Sequence, residues 1–373
     1  MRLLRAELWR FRSRLLIRWI AVGTLVIAGL VAVGAYVQSA PMPEDQVAMM
    51  RADYDATVAD YAENGAQYLE DCRAQAEEQG LSDEEWGCTE EAYSVGDFED
   101  WIGPPSEFGW DEPEAVEGPE LSPYNGTPVE DLPAELRSEP LVGMEAVEGA
   151  SWSGVGNVLT LLPVFVLLGL VTGVTFTAAE MSSGAISNWL TFEPRRRRVF
   201  WSKASGAALG TLPIALVGIA VAGLGSYAAY GLHDAYGTMG SEQWGYFAGG
   251  MARALVAAVV AAVVGASLGI LLRHTAIVAG VVVGWFVVAE FILGLAMQVS
   301  ALTPYLLSTN LVAWIQGGTN YQVTRCVVDD TQGEICEGVN YAVSTAHGGI
   351  VLGAVAVVVT LFAVLVFRRR DVG

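Results

Sequence analysis

Lysine occurs once in this chain of 373 residues, at Lys203, and histidine only three times, at His233, His274 and His347. A phosphate-binding P-loop needs glycines ahead of a Lys and a Ser or Thr, and Lys203 follows Trp201-Ser202 and precedes Ala204, so ATP hydrolysis by that route is excluded. The three histidines are isolated and none belongs to an H-E-x-x-H motif, which excludes that metalloprotease chemistry. A G-x-S-x-G with a placed His is also lacking. The sequence therefore presents no catalytic constellation and no site for a cofactor or metal.

What it has in abundance is apolar surface. Hydrophobic residues make up 53% of the chain and the mean hydropathy is +0.41, too apolar for a water-soluble protein of this length. The formal charge of -21 belongs to one region, because most of the 41 acidic residues fall between Glu44 and Glu148. Basic residues cluster elsewhere, at Arg2, Arg5, Arg10, Arg12, Arg14 and Arg18, at Arg195 to Arg198 with Lys203, and at Arg368 to Arg370. A bilayer core about 30 Å thick needs about 20 apolar residues per helix. Six runs qualify, at 15–37, 153–177, 205–230, 250–272, 274–298 and 346–367.

Orientation follows from Lys and Arg near span ends, since these resist translocation while acidic loops cross readily. The sequence thus predicts an all-α polytopic membrane protein with six transmembrane helices and both termini inside. An interfacial helix over 1–14, the 178–204 segment and the tail 368–373 lie in the cytoplasm; a mixed domain over 38–152 and a hairpin-bearing loop over 299–345 lie outside. A cleaved signal peptide is the competing reading of the first 40 residues. Its apolar run is longer than such peptides carry, and cleavage would set the remaining spans against the Arg clusters.

Within the spans, glycines recur at four-residue spacing in Gly169/Gly173, Gly206/Gly210, Gly265/Gly269, Gly280/Gly284 and Gly349/Gly353, a pattern that permits close helix packing. Pro163 and Pro213 should bend the second and third spans. Residues 1–14 place Leu4, Leu8 and Phe11 on one helical face among arginines, as an interfacial helix does. Glu290 is the ionisable residue well inside a span, so it should face the bundle or a water-filled cavity, with Arg253 as a candidate partner.

The stretch from Ala179 to Lys203, A-E-M-S-S-G-A-I-S-N-W-L-T-F-E-P-R-R-R-R-V-F-W-S-K, combines a carboxylate, an amphipathic helix with Ile186, Trp189 and Leu190 on its apolar face, a stop before Pro194 and a basic run. It resembles the permease subunits of ABC-2 type exporters, of bacterial and actinobacterial-looking kind, in which Glu, Gly, an apolar helix, Pro, Arg and Lys follow the second helix. Glu180, Gly184, Ile186, Trp189, Leu190, Pro194, Arg195 and Lys203 stand at those positions. The six-helix layout and, more loosely, Y-L-L-S-T-N-L-V-A-W-I-Q-G-G at 305–318 extend the resemblance. It implies that 181–193 is a coupling helix docking into a separate ATPase, with ATP and Mg bound by that partner. The insertion of about 110 residues after the first helix departs from many members of the family.

Between Pro41 and Gln79, Val47, Met50, Tyr54, Val58, Tyr61, Tyr68 and Cys72 approach heptad spacing, which predicts a helix; eight prolines from Pro104 to Pro140 preclude long helices beyond it. Trp86, Trp101 and Trp110 could build a small core or a binding surface. Cys72, Cys88, Cys326 and Cys336 all fall outside, where oxidation is permitted. Of three connectivities, Cys72 with Cys88 and Cys326 with Cys336 are favoured, the second pair bracketing a D-D-T-Q-G turn.

The function expected is that of a permease in the bacterial inner membrane, working as a dimer with two cytoplasmic ABC ATPases, surrounded by lipid and binding no nucleic acid. The alternative is a non-transporting sensor or scaffold whose acidic outer domain binds an extracellular partner. The substrate is not written in the sequence.

Overall fold

The computed structural model describes residues 2–40, 43–102, 154–233, 241–288, 303–329 and 333–369. Two compact units are present: residues 1–39 with 117–373, and residues 40–116. Five helices of the first unit are long and apolar enough to cross a membrane: Leu15–Gln38, Val158–Ser182, Arg196–Gly231, Trp244–Leu272 and Thr345–Arg369. Each satisfies its backbone internally, as a bilayer demands. The apolar helix Thr275–Val288 covers the first half of the span expected at 274–298; the second half, including Glu290, lies outside the described residues. The third and fourth spans also run longer than expected, because the helices begin at Arg196 and Ser241, ahead of their apolar runs.

We label the helices of this unit α1 (Arg2–Ser13), α2 (Leu15–Gln38), α6 (Gly154–Leu161), α7 (Pro163–Ser182), α8 (Ala185–Phe192), α9 (Arg196–Gly231), α10 (Ser241–Leu272), α11 (Thr275–Trp285), α12 (Leu307–Gln316) and α13 (Thr345–Arg369), with α3 to α5 in the other unit. Leu162 is a turn between α6 and α7, and Pro163 takes the first turn of α7, where its missing N–H costs nothing. Pro213, by contrast, sits inside an unbroken α9.

Helix α7 packs closely against α10. A Cβ at Gly169 or Gly173 would overlap the carbonyl oxygens of Ala258 and Ala262, and one at Gly265 would overlap that of Leu170. Thr177 Oγ1 donates to Ala266 O at 2.9 Å across the same seam. Two of the glycine pairs in the sequence thus face each other, letting backbones meet where side chains would hold them apart. Gly280, Gly284 and Gly353 meet nothing within 4 Å. The main core joins Ala28, Phe165, Ile219, Phe247 and Ile315 from five helices with Leu162 from the α6–α7 turn.

The short helix α12 packs on the start of α13, where a Cβ on Gly348 would come within 2.6 Å of Asn310 O and one on Gly349 within 2.7 Å of the Trp314 ring. Arg253 Nε and Nη2 donate to Ile315 O at 3.1 and 2.9 Å, completing a carbonyl at the C-terminal end of α12. A hairpin then follows, Gly318–Asp329 antiparallel to Gly333–Ser344, whose register sets Cys326 opposite Cys336.

In the second unit, α3 (Glu44–Gln79) is followed by α4 (Asp83–Trp86) and α5 (Val95–Ile102). Leu69, Ala76 and Cys88 form its small core, and Cys72 and Cys88 are joined by a disulfide with Cα atoms 5.7 Å apart. The seam runs through Gly65, Leu69 and Ala76, while Tyr68 is 39% exposed and donates to Asp60 Oδ2 at 3.0 Å. Trp86 is 45% exposed; the Trp101 side chain and Trp110 lie outside the described residues, as do the prolines from Pro104 to Pro140.

Candidate functional site

The single lysine is the centre of the site. Lys203 lies in the second turn of α9 between Val199, Phe200, Ala204 and Ala207, all buried, and is itself 0% exposed. An ammonium in such a place requires counter-charge. It finds two carboxylates: Glu7 Oε2, at 2.6 Å from Nζ, and Glu180 Oε2. Glu7 is 2% exposed and Glu180 5%. The second oxygen of Glu180 pairs with Arg14, whose other Nη donates to Thr175 O and Phe176 O at 3.1 and 2.7 Å. Two cations and two anions therefore close one network that ties α1, the α1–α2 junction, the end of α7 and the start of α9.

Packing prepares the place for it. Gly206 and Gly210, one and two turns beyond Lys203, leave room for α1: a Cβ on Gly206 would stand 3.1 Å from Glu7 Cβ, and one on Gly210 would stand 2.6 Å from the Phe11 ring. Phe11 crosses Phe176 edge to face at 5.2 Å. The Phe176 ring also lies 5.1 Å from the Arg14 guanidinium and 5.2 Å from Lys203 Nζ, adding cation–π attraction.

Gly184 ends this arm of the chain with φ +69°, a left-handed turn disfavoured for any residue with a Cβ, and the backbone reverses directly into α8. Ile186 on α8 is 1% exposed, packed with Val199, Phe200, Ile270 and Phe367, and Leu190 lies against the same cluster. The apolar face read from the sequence is thus covered by the chain's own core. Trp189 points to another side, under the Arg10 guanidinium at 4.3 Å. Phe192, at 87% exposure, is the large apolar side chain that α8 leaves open. Beyond Pro194 and Arg195 at the joint, Arg196 Nη1 donates to Phe367 O at 3.3 Å, and Arg198 pairs with Glu193 at 3.7 Å.

Of the residues singled out by sequence, Glu180 and Lys203 are brought into contact, with Trp189 5.8 Å from Lys203 Nζ. Gly184, Ile186, Leu190, Pro194 and Arg195 shape and seat the neighbouring turn and helix without joining the charge network. Sequence reasoning missed Glu7, Arg14 and Phe176. Glu7 carried a usable signal, as the sole carboxylate before Glu44 in an Arg-rich segment. The histidines serve elsewhere: His233 Nδ1 lies 2.9 Å from Ser39 Oγ, and His347 Nε2 3.1 Å from Pro304 O.

The network presents no nucleophile and no open acid–base pair. Trp189 of α8 borders it, and the Ile186 cluster joins α8 to α9, α10 and α13. No curated protein and no solved structure matches this chain. A family model does, over residues 9–372, and on that extent of match the chain belongs to the ABC-2 family of transporter proteins.

Proposed function

We propose that the chain is the permease half of an ATP-driven exporter, and that α8 is where its ATPase pushes. Membership of the family implies ABC ATPase partners in general. The observation that carries the specific reading is the seating of α8: Ile186 and Leu190 fix it to the core, while Phe192 stays open for a partner. Two ATPases serve two permease copies, one α8 for each. The end of the bundle bearing α1, α8 and the arginines faces the cytoplasm, because Lys and Arg are retained there. ATP-driven closure of the ATPases then tilts α8, and the charge network carries the motion into α1, α7 and α9 to alternate access between the copies. ATP and Mg are held by the partner, and this chain performs no chemistry.

The test is co-purification of the full chain with its ABC ATPase, native against Phe192→Asp. A complex lost in the variant, with the chain still folded, supports the reading. Absence of association in both forms would favour a sensor or scaffold with an acidic outer domain.

A further inference from the structure

Beside the charge network lies an open cleft of about 640 Å³, with Arg10, Arg14, Glu180, Trp189 and Phe192 in its walls. Its charges do not balance. Glu7 and Glu180 supply two negative charges, whereas Lys203, Arg14 and Arg10 supply three positive ones; Lys203 and Arg14 are taken up by the carboxylates, which leaves Arg10. Among the described residues Arg10 makes no ion pair, and its guanidinium rests on the Trp189 ring. One anionic group bearing several acceptor oxygens would pair with it.

The surroundings indicate what carries that group. Helix α2 starts one residue after Arg14, and its Leu15, Leu16 and Trp19 are 68%, 54% and 64% exposed. Trp9 is open at 75%. Exposed aromatic and aliphatic side chains beside a cationic hollow suit an amphiphile at the membrane–water boundary. We propose that this cleft binds the phosphate of an anionic phospholipid. Arg10 is its ion partner, and the acyl chains lie along the Leu15, Leu16 and Trp19 face. The site is a property of this chain alone and does not depend on ATPase docking.

Native mass spectrometry of the detergent-purified full chain tests it, with phosphatidylglycerol, phosphatidylcholine or inorganic phosphate added. One phosphatidylglycerol should bind more tightly than those that follow and more tightly than phosphatidylcholine. Arg10→Gln should weaken that first lipid about five- to tenfold, the loss of one charge-assisted contact, whereas Arg12→Gln, at an exposed position, should leave it in place. Equal weakening by Arg10→Gln and Arg12→Gln would reduce the effect to diffuse surface charge and overturn the site. Displacement by millimolar phosphate would assign the cleft to a free oxyanion and overturn the lipid.

Discussion

Lys203 and Glu7 stand 196 positions apart in sequence and 2.6 Å apart in space, and neither side chain reaches water. That contact fixes an N-terminal helix to the third span at a point where the Glu7 carboxylate would otherwise be stranded.

The lone lysine should be chemically silent. An N-hydroxysuccinimide ester added to the folded chain is expected to acylate the N-terminus and leave Lys203 untouched, with reaction at Lys203 only on denaturation. Peptide mass spectrometry reads this directly. Acylation of Lys203 in the folded chain at the rate of a free amine would disprove its enclosure.

Breaking the pair from one side should cost far more than removing it whole. Lys203→Met leaves Glu7 buried without a partner and should destabilise the chain by about 3–5 kcal/mol. Adding Glu7→Met removes the stranded charge, while Arg14 and Glu180 still neutralise each other, so the double variant should recover most of the loss. Thermal unfolding in detergent compares them; a double variant no more stable than the single one contradicts the network.

Glycines of equal spacing should differ sharply in tolerance. Gly173→Ala forces α7 from the Ala262 carbonyl and is expected to cost about 1–3 kcal/mol or to abolish folding. Gly280→Ala has open space and should be neutral or stabilise by about 0.5–1 kcal/mol through helix propensity. Yields of folded protein and melting temperatures for the two variants decide it.

Two disulfides are expected in the purified chain. Cys72–Cys88 closes a separation of 16 residues, and losing it should cost the second unit about 3 kcal/mol. Cys326 and Cys336 face each other in the hairpin register and should be cross-linked too. Non-reducing peptide mapping on protein from intact cells tests both. Free thiols at all four positions would place these segments in a reducing compartment and reverse the expected orientation.

Hydropathy made much of the bundle readable in advance. The helix Leu15–Gln38 differs from the expected span by one residue, because twenty-odd apolar residues between polar ends have few alternatives in lipid. The site was half readable. Glu180, Gly184 and Lys203 stand out by type and spacing, but Glu7 sits among arginines that would pair with it in any helical reading. Only the α1–α9 packing shows that it turns to Lys203. The amphipathic face of α8 was visible too; whether Ile186 and Leu190 face a partner or their own chain depends on Phe200, Ile270 and Phe367, which periodicity within α8 cannot report.

Distance along the chain is also a delay. At about 5–20 residues per second of synthesis, Glu7 leaves the ribosome roughly 10–40 s before Lys203, given the 196 positions between them. Throughout that interval the N-terminal helix has no lysine to receive its carboxylate. Closure of the Glu7 contact is therefore a late event in biogenesis, after Phe176 and Glu180 have already offered Phe11 and Arg14 their partners.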